Sequence, residues 1–505
     1  TGPADPGPGA PSEAAGGRAR IRWSGGLART SLNAHSVPTL VGMSASSRAL
    51  RRVMTLGGAL APAAAVAALL GAPGALAAPA APAVHSSSAT VPVAAAPHRV
   101  SSMDFGDSLP SNPDLLRQMM WIKSGQVPAA ADGDLRVATF SAGLSRSAPG
   151  GLAEDLSEPG DAQGLQVAET VQRAAPDVVL LTDMDVDAGE EVAQSFRTNY
   201  LAVGTGGQRG IDYPHMYVSE VNSGVDTGAD LDDDGIIGGP GDAFGPGRFA
   251  GQHGMVLYSK YPLDTDGIRT FRELPWTAMP DNAIPEGAYS ELELSVLRLS
   301  STSHWDIPID VDGQTVHVLA AQPSRAEDGP TGAERHHDEM RFWADYLATG
   351  TGRDEYIVDD EGRPGGLSTG DPFVLAGDFG PLTGTPLDDS DHPSAVAGML
   401  EADLIQDPEP VSQGAENLDE GEPAATEVVG REGGAWTLAR SDYLLPSSSV
   451  TAAASGVFWP VPGQLGSQLT RVNAPGGELG EPNETTPSEH RLVWTDLDLA
   501  GSGTD

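Results

Sequence analysis

"PFVLAGDFGPLTG", residues 372–384, sets the reading of the chain. Phe373 to Ala376 form a short apolar run of buried-strand type. Gly377 breaks the run, Asp378 follows, and glycine and proline open a loop. A carboxylate at the carboxyl end of a buried strand is a frequent place for chemistry in α/β proteins. The same grammar recurs along the chain: "LRVATF" (135–140) runs into Ser141, "DVVLL" (177–181) is followed by Asp183, and "TVHVLAA" (315–321) by Gln322. "GMVLYS" (254–259), "SDYLLPS" (441–447) and "HRLVWTDLDL" (490–499) read as further strands. "DAQGLQVAETVQRAAP" (161–176) places Leu165, Ala168 and Val171 at helical spacing and stops at Pro176; "AERHHDEMRFWADYLA" (333–348) reads as a second helix. The alternation predicts one α/β domain over about 133–500, with long loops at 204–250, 275–305, 350–371 and 406–437.

Bulk properties narrow the function. The 505 residues carry a net charge of −41 and no cysteine, which excludes a disulfide framework, a thiolate metal site and a cysteine nucleophile. Lys123 and Lys260 are the only lysines. Such acidity repels polyanions, so long nucleic acid is disfavoured as a partner. At the other end, the stretch from Met43 carries Arg48, Arg51 and Arg52, then an Ala/Leu/Val-rich segment, then Ala75-Leu76-Ala77. That is the order of a secretory signal peptide over 43–77, cleaved after Ala77, with Arg51-Arg52 leaving Sec and twin-arginine export both open. Residues 1–42 read as sequence upstream of the true start, and 78–132 as an Ala/Pro/Ser-rich lead-in. A secreted monomer with no transmembrane segment in its mature form is expected.

The polar residues at the strand ends, with "PSEHRLVW" (487–494) before the last strand, resemble the endonuclease/exonuclease/phosphatase superfamily of DNase I-like nucleases, sphingomyelinases and inositol phosphatases. The segments "PDVVLLTDMDVD", "DLDDDGIIGGPGDAFGPGRFAGQHGMVLYSKYPL", "SSTSHWDIPIDVDGQTVHVLA", "HDEMRFWADYL", "RSDYLLPS", "SGVFWPV" and "SEHRLVWTDLDL" resemble its large secreted bacterial members over nearly all of 134–499. The resemblance implies a four-layer α/β sandwich, two mixed β-sheets packed face to face with helices outside. It also implies metal-dependent phosphoester hydrolysis with Mg²⁺ or Mn²⁺ on a small or lipid-linked substrate.

Carried onto this chain residue by residue, the resemblance gives Ser141, Asp183 and Glu489 as metal-site positions and Gln322, Asp378, Asp442 and His490 as catalytic ones, with Asp442 orienting His490 as general base. The departures are several. Ser141 stands where the family has Asn, Asp183 for Glu, Gln322 for His, Gly380 for the Asn after Asp378, and Glu489 for Asp. Two readings therefore stand side by side: a phosphoesterase with an eroded site, and a catalytically weak or inactive member acting as an extracellular binding or structural protein. His304 in "SHWDIP" is a candidate phosphate contact. Asp230, Asp232, Asp234 and Gly235 match the first half of a calcium loop, D-x-D-x-D-G, although Gly241 holds the position of the usual bidentate Glu and Asp242 follows it.

Overall fold

The computed structural model describes residues 124–381, 395–432, 435–471 and 487–500. The expected signal peptide, the segment before it and most of the lead-in lie outside the described residues. Strands β1 (Leu135–Leu144), β2 (Val178–Met184), β3 (His215–Tyr217) and β4 (Gly254–Ser259) belong to one sheet; β5 (Arg269–Thr270), β6 (His304–Val311), β7 (Gln314–Ala321) and β8 (Phe373–Asp378) belong to another. A short hairpin, β9 (Glu427–Glu432) and β10 (Ala435–Ala439), precedes β11 (Asp442–Pro446), β12 (Thr451–Val457) and β13 (Val493–Asp498). The first sheet has the order β12-β13-β1-β2-β4-β3 and the second β11-β8-β7-β6-β5. Both are mixed: β1 and β2 run parallel, as do β7 and β8, while the other pairs are antiparallel.

Alternation along the strands explains the layering. Val137, Leu180, Leu257 and Leu497 of the first sheet pack against Ile307, Val318, Val374 and Leu444 of the second. The outward residues Phe140, Leu181 and Tyr258 meet Val167 and Val171 of helix α1 (Ala162–Ala174). Leu319, Leu375 and Leu445 meet Met340 and Trp343 of helix α2 (Gly332–Tyr346). The result is the four-layer DNase I-like sandwich. Helix α1 starts where Asp161 accepts the Gly164 N–H at 2.7 Å, and ends at Ala175 in a left-handed conformation.

Three of the expected long loops contain regular structure, 204–250 among them through β3. In 275–305, Ser290 and Glu293 form a reciprocal capping box that starts the helical turn Glu291–Val296. In 406–437, Ser412 caps Gln413–Leu418 and β9 begins at Glu427. The strand β6, absent from the periodicity reading, turns into β7 through Asp312-Gly313, both at positive φ (54° and 93°), between the paired Val311 and Gln314. No helix among the described residues is long and apolar enough to cross a membrane.

Candidate active site

The polar strand ends converge. Ser141 on β1, Asp183 on β2, Gln322 just past β7, Asp378 at the end of β8, and Glu489 and His490 before β13 all line one cavity of about 390 Å³. Parallel pairing puts Ser141 beside Thr182 and Ala321 beside Gly377, so neighbouring strands finish at the same level. Gly377 is required there, because a Cβ at this position would stand 1.9 Å from the Ala321 carbonyl oxygen. Antiparallel register sets Asp442 opposite Asp378. Phe379 is buried and stacks on Tyr443, so it anchors the loop and leaves Asp378 as the chemical group of that segment.

His490 is the best-organised group. Its Nδ1 lies 2.8 Å from Oδ2 of the fully buried Asp442, whose same oxygen accepts the Thr426 hydroxyl at 2.8 Å. Burial works against a charge on this imidazole, but the carboxylates of Asp442, Asp378 and Glu427 outweigh it and its pKa is pushed up to about 10. Burial also pulls Asp378 upward, and the positive charges of His490 and Arg325 overcome it, holding that carboxyl below its ordinary value. At neutral pH the His490 ring therefore carries a proton, which suits proton donation and oxyanion contact better than abstraction of a proton from water.

Three residues of the site went unread in the sequence. Arg325, three residues past Gln322, places Nη2 at 3.2 and 3.1 Å from the two Asp378 oxygens and Nη1 at 3.3 and 3.2 Å from those of Glu427. The same Nη2 lies 3.3 Å from His490 Nε2. Its backbone is held on both sides: Asp328 accepts the Arg325 N–H at 2.6 Å, and the carboxylate of the buried Glu339 on α2 accepts both the N–H and the hydroxyl of Ser324 at 2.8 Å. His253 is the third, with Nδ1 2.5 Å from Asp183 Oδ1. Burial disfavours its protonated form, but the bond to Asp183 prevails and raises its pKa. An arginine in so acidic a chain was the available signal; its partner Glu427 comes from a hairpin 102 residues away.

The metal expectation can be tested on these contacts. Among the described residues, two groups of acidic or imidazole side chains bring ligand-type atoms within 4.8 Å of one another: Asp378 with Asp442 and His490, and Asp230 with Asp232 and Asp234. In the first group Asp442 Oδ2 is taken by His490 and Thr426 while its buried Oδ1 has no hydrogen-bond partner, and Asp378 is paired with Arg325. Asp183 is committed to His253, Ser141 offers only a neutral hydroxyl, and neither Asp183 nor Glu489 joins a three-ligand cluster among the described residues. These residues do not fit an octahedral Mg²⁺ or Mn²⁺ site as they stand. In the acidic loop, Asp230, Asp232 and Asp234 each accept a backbone N–H, from Gly235, Asp234 and Ile236 respectively. The buried Asp242 accepts those of Leu231 and Gly238, so it anchors the loop from within.

The phosphate-contact reading of His304 is corrected. Its ring is enclosed in the core, with Nδ1 2.7 Å from Ser300 Oγ and Nε2 3.1 Å from the Glu339 carbonyl oxygen, and it packs on Phe342 and Trp343. It is not among the cavity-lining residues. His336 is likewise buried, on the Ser324 carbonyl, and His337 faces Asp338.

The endonuclease/exonuclease/phosphatase family model matches residues 152–490, a span that runs from before Asp183 to His490. The chain belongs to this family. No curated protein sequence matches it. Among solved structures it is similar to the endonuclease/exonuclease/phosphatase from Beutenbergia cavernae, with 18% identity, a TM-score of 0.40, and 72% of this chain and 71% of that one covered. It is similar also to sphingomyelinase C from Streptomyces griseocarneus, with 15% identity, a TM-score of 0.38, and 72% and 99% covered. Truncated TDP2 from Caenorhabditis elegans gives 10% identity, a TM-score of 0.35, and 73% and 99% covered. Likenesses at this level carry no argument about activity. Within the family fold, the His490–Asp442 pair stands at the end of the strands that carry the cavity.

Proposed function

We propose that this chain is an extracellular, weakly active phosphoesterase of the family, acting on small or lipid-linked phosphoesters. The observation that carries the reading is the His490–Asp442 pair at 2.8 Å, with the imidazole on the wall of a cavity that also receives Ser141, Asp183, Gln322 and Asp378. In the proposed reaction a water oxygen bonds to phosphorus and the ester P–O bond breaks. The leaving oxygen takes its proton from His490, and the proton of the water passes to a carboxylate of the cavity wall. Asp442 holds the ring in register and stabilises its charge.

Several features support slow turnover. The cavity wall sets six carboxylates, Asp183, Glu327, Asp328, Asp378, Glu427 and Glu489, against Arg325, His253 and His490. Gly380 brings no side chain, and Gln322 uses its amide oxygen to accept the Asp183 N–H at 3.1 Å. The transition-state oxyanion thus has fewer donors than an Asn at 380 and a His at 322 would give it, and that electrostatic contribution is usually the largest. The surplus of carboxylates also disfavours polyanionic substrates. A second chamber of about 760 Å³ shares Pro246, His253, Glu327 and Asp328 with the first, which leaves room for the alcohol part of a larger ester.

The alternative, a non-catalytic extracellular binding protein, is favoured by one observation: Arg325 already satisfies Asp378 and Glu427. Hydrolysis of a panel of phosphomonoesters, phosphodiesters and lipid-linked phosphoesters by residues 78–505 separates the two. Slow release that His490→Ala abolishes supports the enzyme; no release above buffer on any substrate supports the binding protein. Export is tested by N-terminal sequencing of secreted protein, with Ala78 expected as the first residue.

A further inference from the structure

We infer that Arg325 is the built-in cation of this cavity: it occupies the place where a divalent ion would join Asp378 to His490, and so it excludes that ion. The inference deepens the proposed function, on which it rests only for its consequence for turnover.

The geometry is specific. Asp378 Oδ2 and His490 Nε2 are 3.8 Å apart, a separation that an ion with ligands at about 2.0–2.3 Å can bridge. Arg325 Nη2 sits to one side of the line joining them, 3.1 Å from the oxygen and 3.3 Å from the nitrogen. An ion bridging the pair on the side where Nη2 sits would fall inside contact distance of it and would meet a fixed positive charge. The guanidinium also does what an ion would do for the carboxylates: its second arm reaches Glu427, and planar two-armed pairing of this kind is a geometry that lysine cannot reproduce.

Arg325 is not a surface side chain that swung in. Its backbone N–H is bound by Asp328, and the preceding Ser324 is tied to Glu339, a wholly buried helix residue that also accepts the Ser301 N–H at 2.6 Å. Glu427 is itself fixed by the Ser441 hydroxyl. A second basic side chain, His253, engages Asp183, a carboxylate in a family metal position. Asp378 and the expected metal ligand Asp183 are thus each engaged by a basic side chain of the chain itself. The chemistry assigned to Arg325 is that of a charge anchor for phosphoryl oxygens, through the guanidinium N–H groups left over after Asp378 and Glu427.

The test measures ion binding without substrate. Mn²⁺ bound to the protein is followed by water-proton relaxation in a background of Asp232→Ala with Asp234→Ala, which removes the acidic loop as a competing site. With Arg325 intact, no Mn²⁺ is expected to bind the cavity up to millimolar concentration. Arg325→Ala is expected to gain one Mn²⁺ with affinity at least tenfold higher, and adding Asp378→Asn should remove it again. Arg325→Lys, which keeps the charge, should still exclude the ion. If Arg325→Ala does not fold, as judged by circular dichroism, Arg325→Gln serves in its place. Mn²⁺ binding with Arg325 present that Asp378→Asn abolishes would overturn the inference. So would a folded Arg325→Ala or Arg325→Gln protein that gains no ion. A wild type with no hydrolysis at all would refute the proposed activity and leave this result standing.

Discussion

Asp183 and His253 meet at 2.5 Å, each from a left-handed backbone position, with φ of 52° and 55°. L-residues other than Gly, Asn and Asp rarely hold that conformation, which costs on the order of 1–2 kcal/mol, and such strain collects at functional sites. The end of β2 and the start of β4 are thus bent to bring one carboxylate and one imidazole together.

Asp183→Ala keeps the strained backbone and loses the partner of His253. It should lower the melting temperature by about 2–4 °C, the shift that roughly 1 kcal/mol produces in a domain of this size. Asp183→Gly removes the same carboxylate but accepts positive φ freely, so it should melt within about 1–2 °C of wild type. Thermal melts of the two variants decide it: equal losses would mean that the backbone at 183 stores no strain.

Two histidines, His304 in the core and the half-buried His317, should pull stability in opposite directions with pH. Burial of His304 lowers its pKa below the ordinary 6.5, so the unfolded chain takes up the proton first. Its contribution is complete above about pH 6.5 and drains as pH falls toward the folded value. His317 is also disfavoured as a cation by burial, but Asp306, 2.6 Å away, prevails and raises its pKa. Its contribution is complete below about pH 6.5 and is lost as pH rises through the folded value. Urea midpoints between pH 5 and 8 should show a flatter acid side in His304→Gln and a flatter neutral side in His317→Gln. Unchanged slopes in both would remove these rings from the pH response.

The sequence made the strand ends legible because a buried strand writes itself as an apolar run closed by a polar residue. Ser141, Asp183, Gln322 and Asp378 were found in this way, and the structure places all four on one cavity. Strand β6 escaped that reading, although Asp312-Gly313 between two β-rich stretches is a recognised hairpin signal. Arg325 and Glu427 could not be paired by any local pattern, since their contact depends on how a hairpin 102 residues downstream folds over the cavity. His304 misled for the opposite reason: its neighbours looked like a family segment, but whether a histidine faces core or solvent depends on the register of β6 against β7.

Duplex DNA should not bind usefully. The chain carries −41 and the cavity wall is rich in carboxylates, so few phosphates can be neutralised. Fluorescence anisotropy near 150 mM salt should give no saturation at micromolar protein. Micromolar binding there would point to a cationic surface outside this cavity.

Restoring the family residues should work only once Arg325 is gone. Gly380 has φ +63°, a conformation that Asn tolerates, and a Cβ built there meets nothing closer than His336 Cε1 at 3.8 Å. Gly380→Asn should therefore fold with little change in melting temperature. Combined with Ser141→Asn and Gln322→His it returns donors to the cavity, yet Arg325 still holds Asp378 and His490 Nε2. The triple variant should consequently stay within about threefold of wild-type turnover, whereas adding Arg325→Ala should raise turnover about tenfold or more and make it depend on Mg²⁺ or Mn²⁺. Initial rates with and without chelator distinguish these cases. A triple variant that gains full metal-dependent activity with Arg325 in place would show that the guanidinium moves aside readily, and that the missing donors alone limit this site.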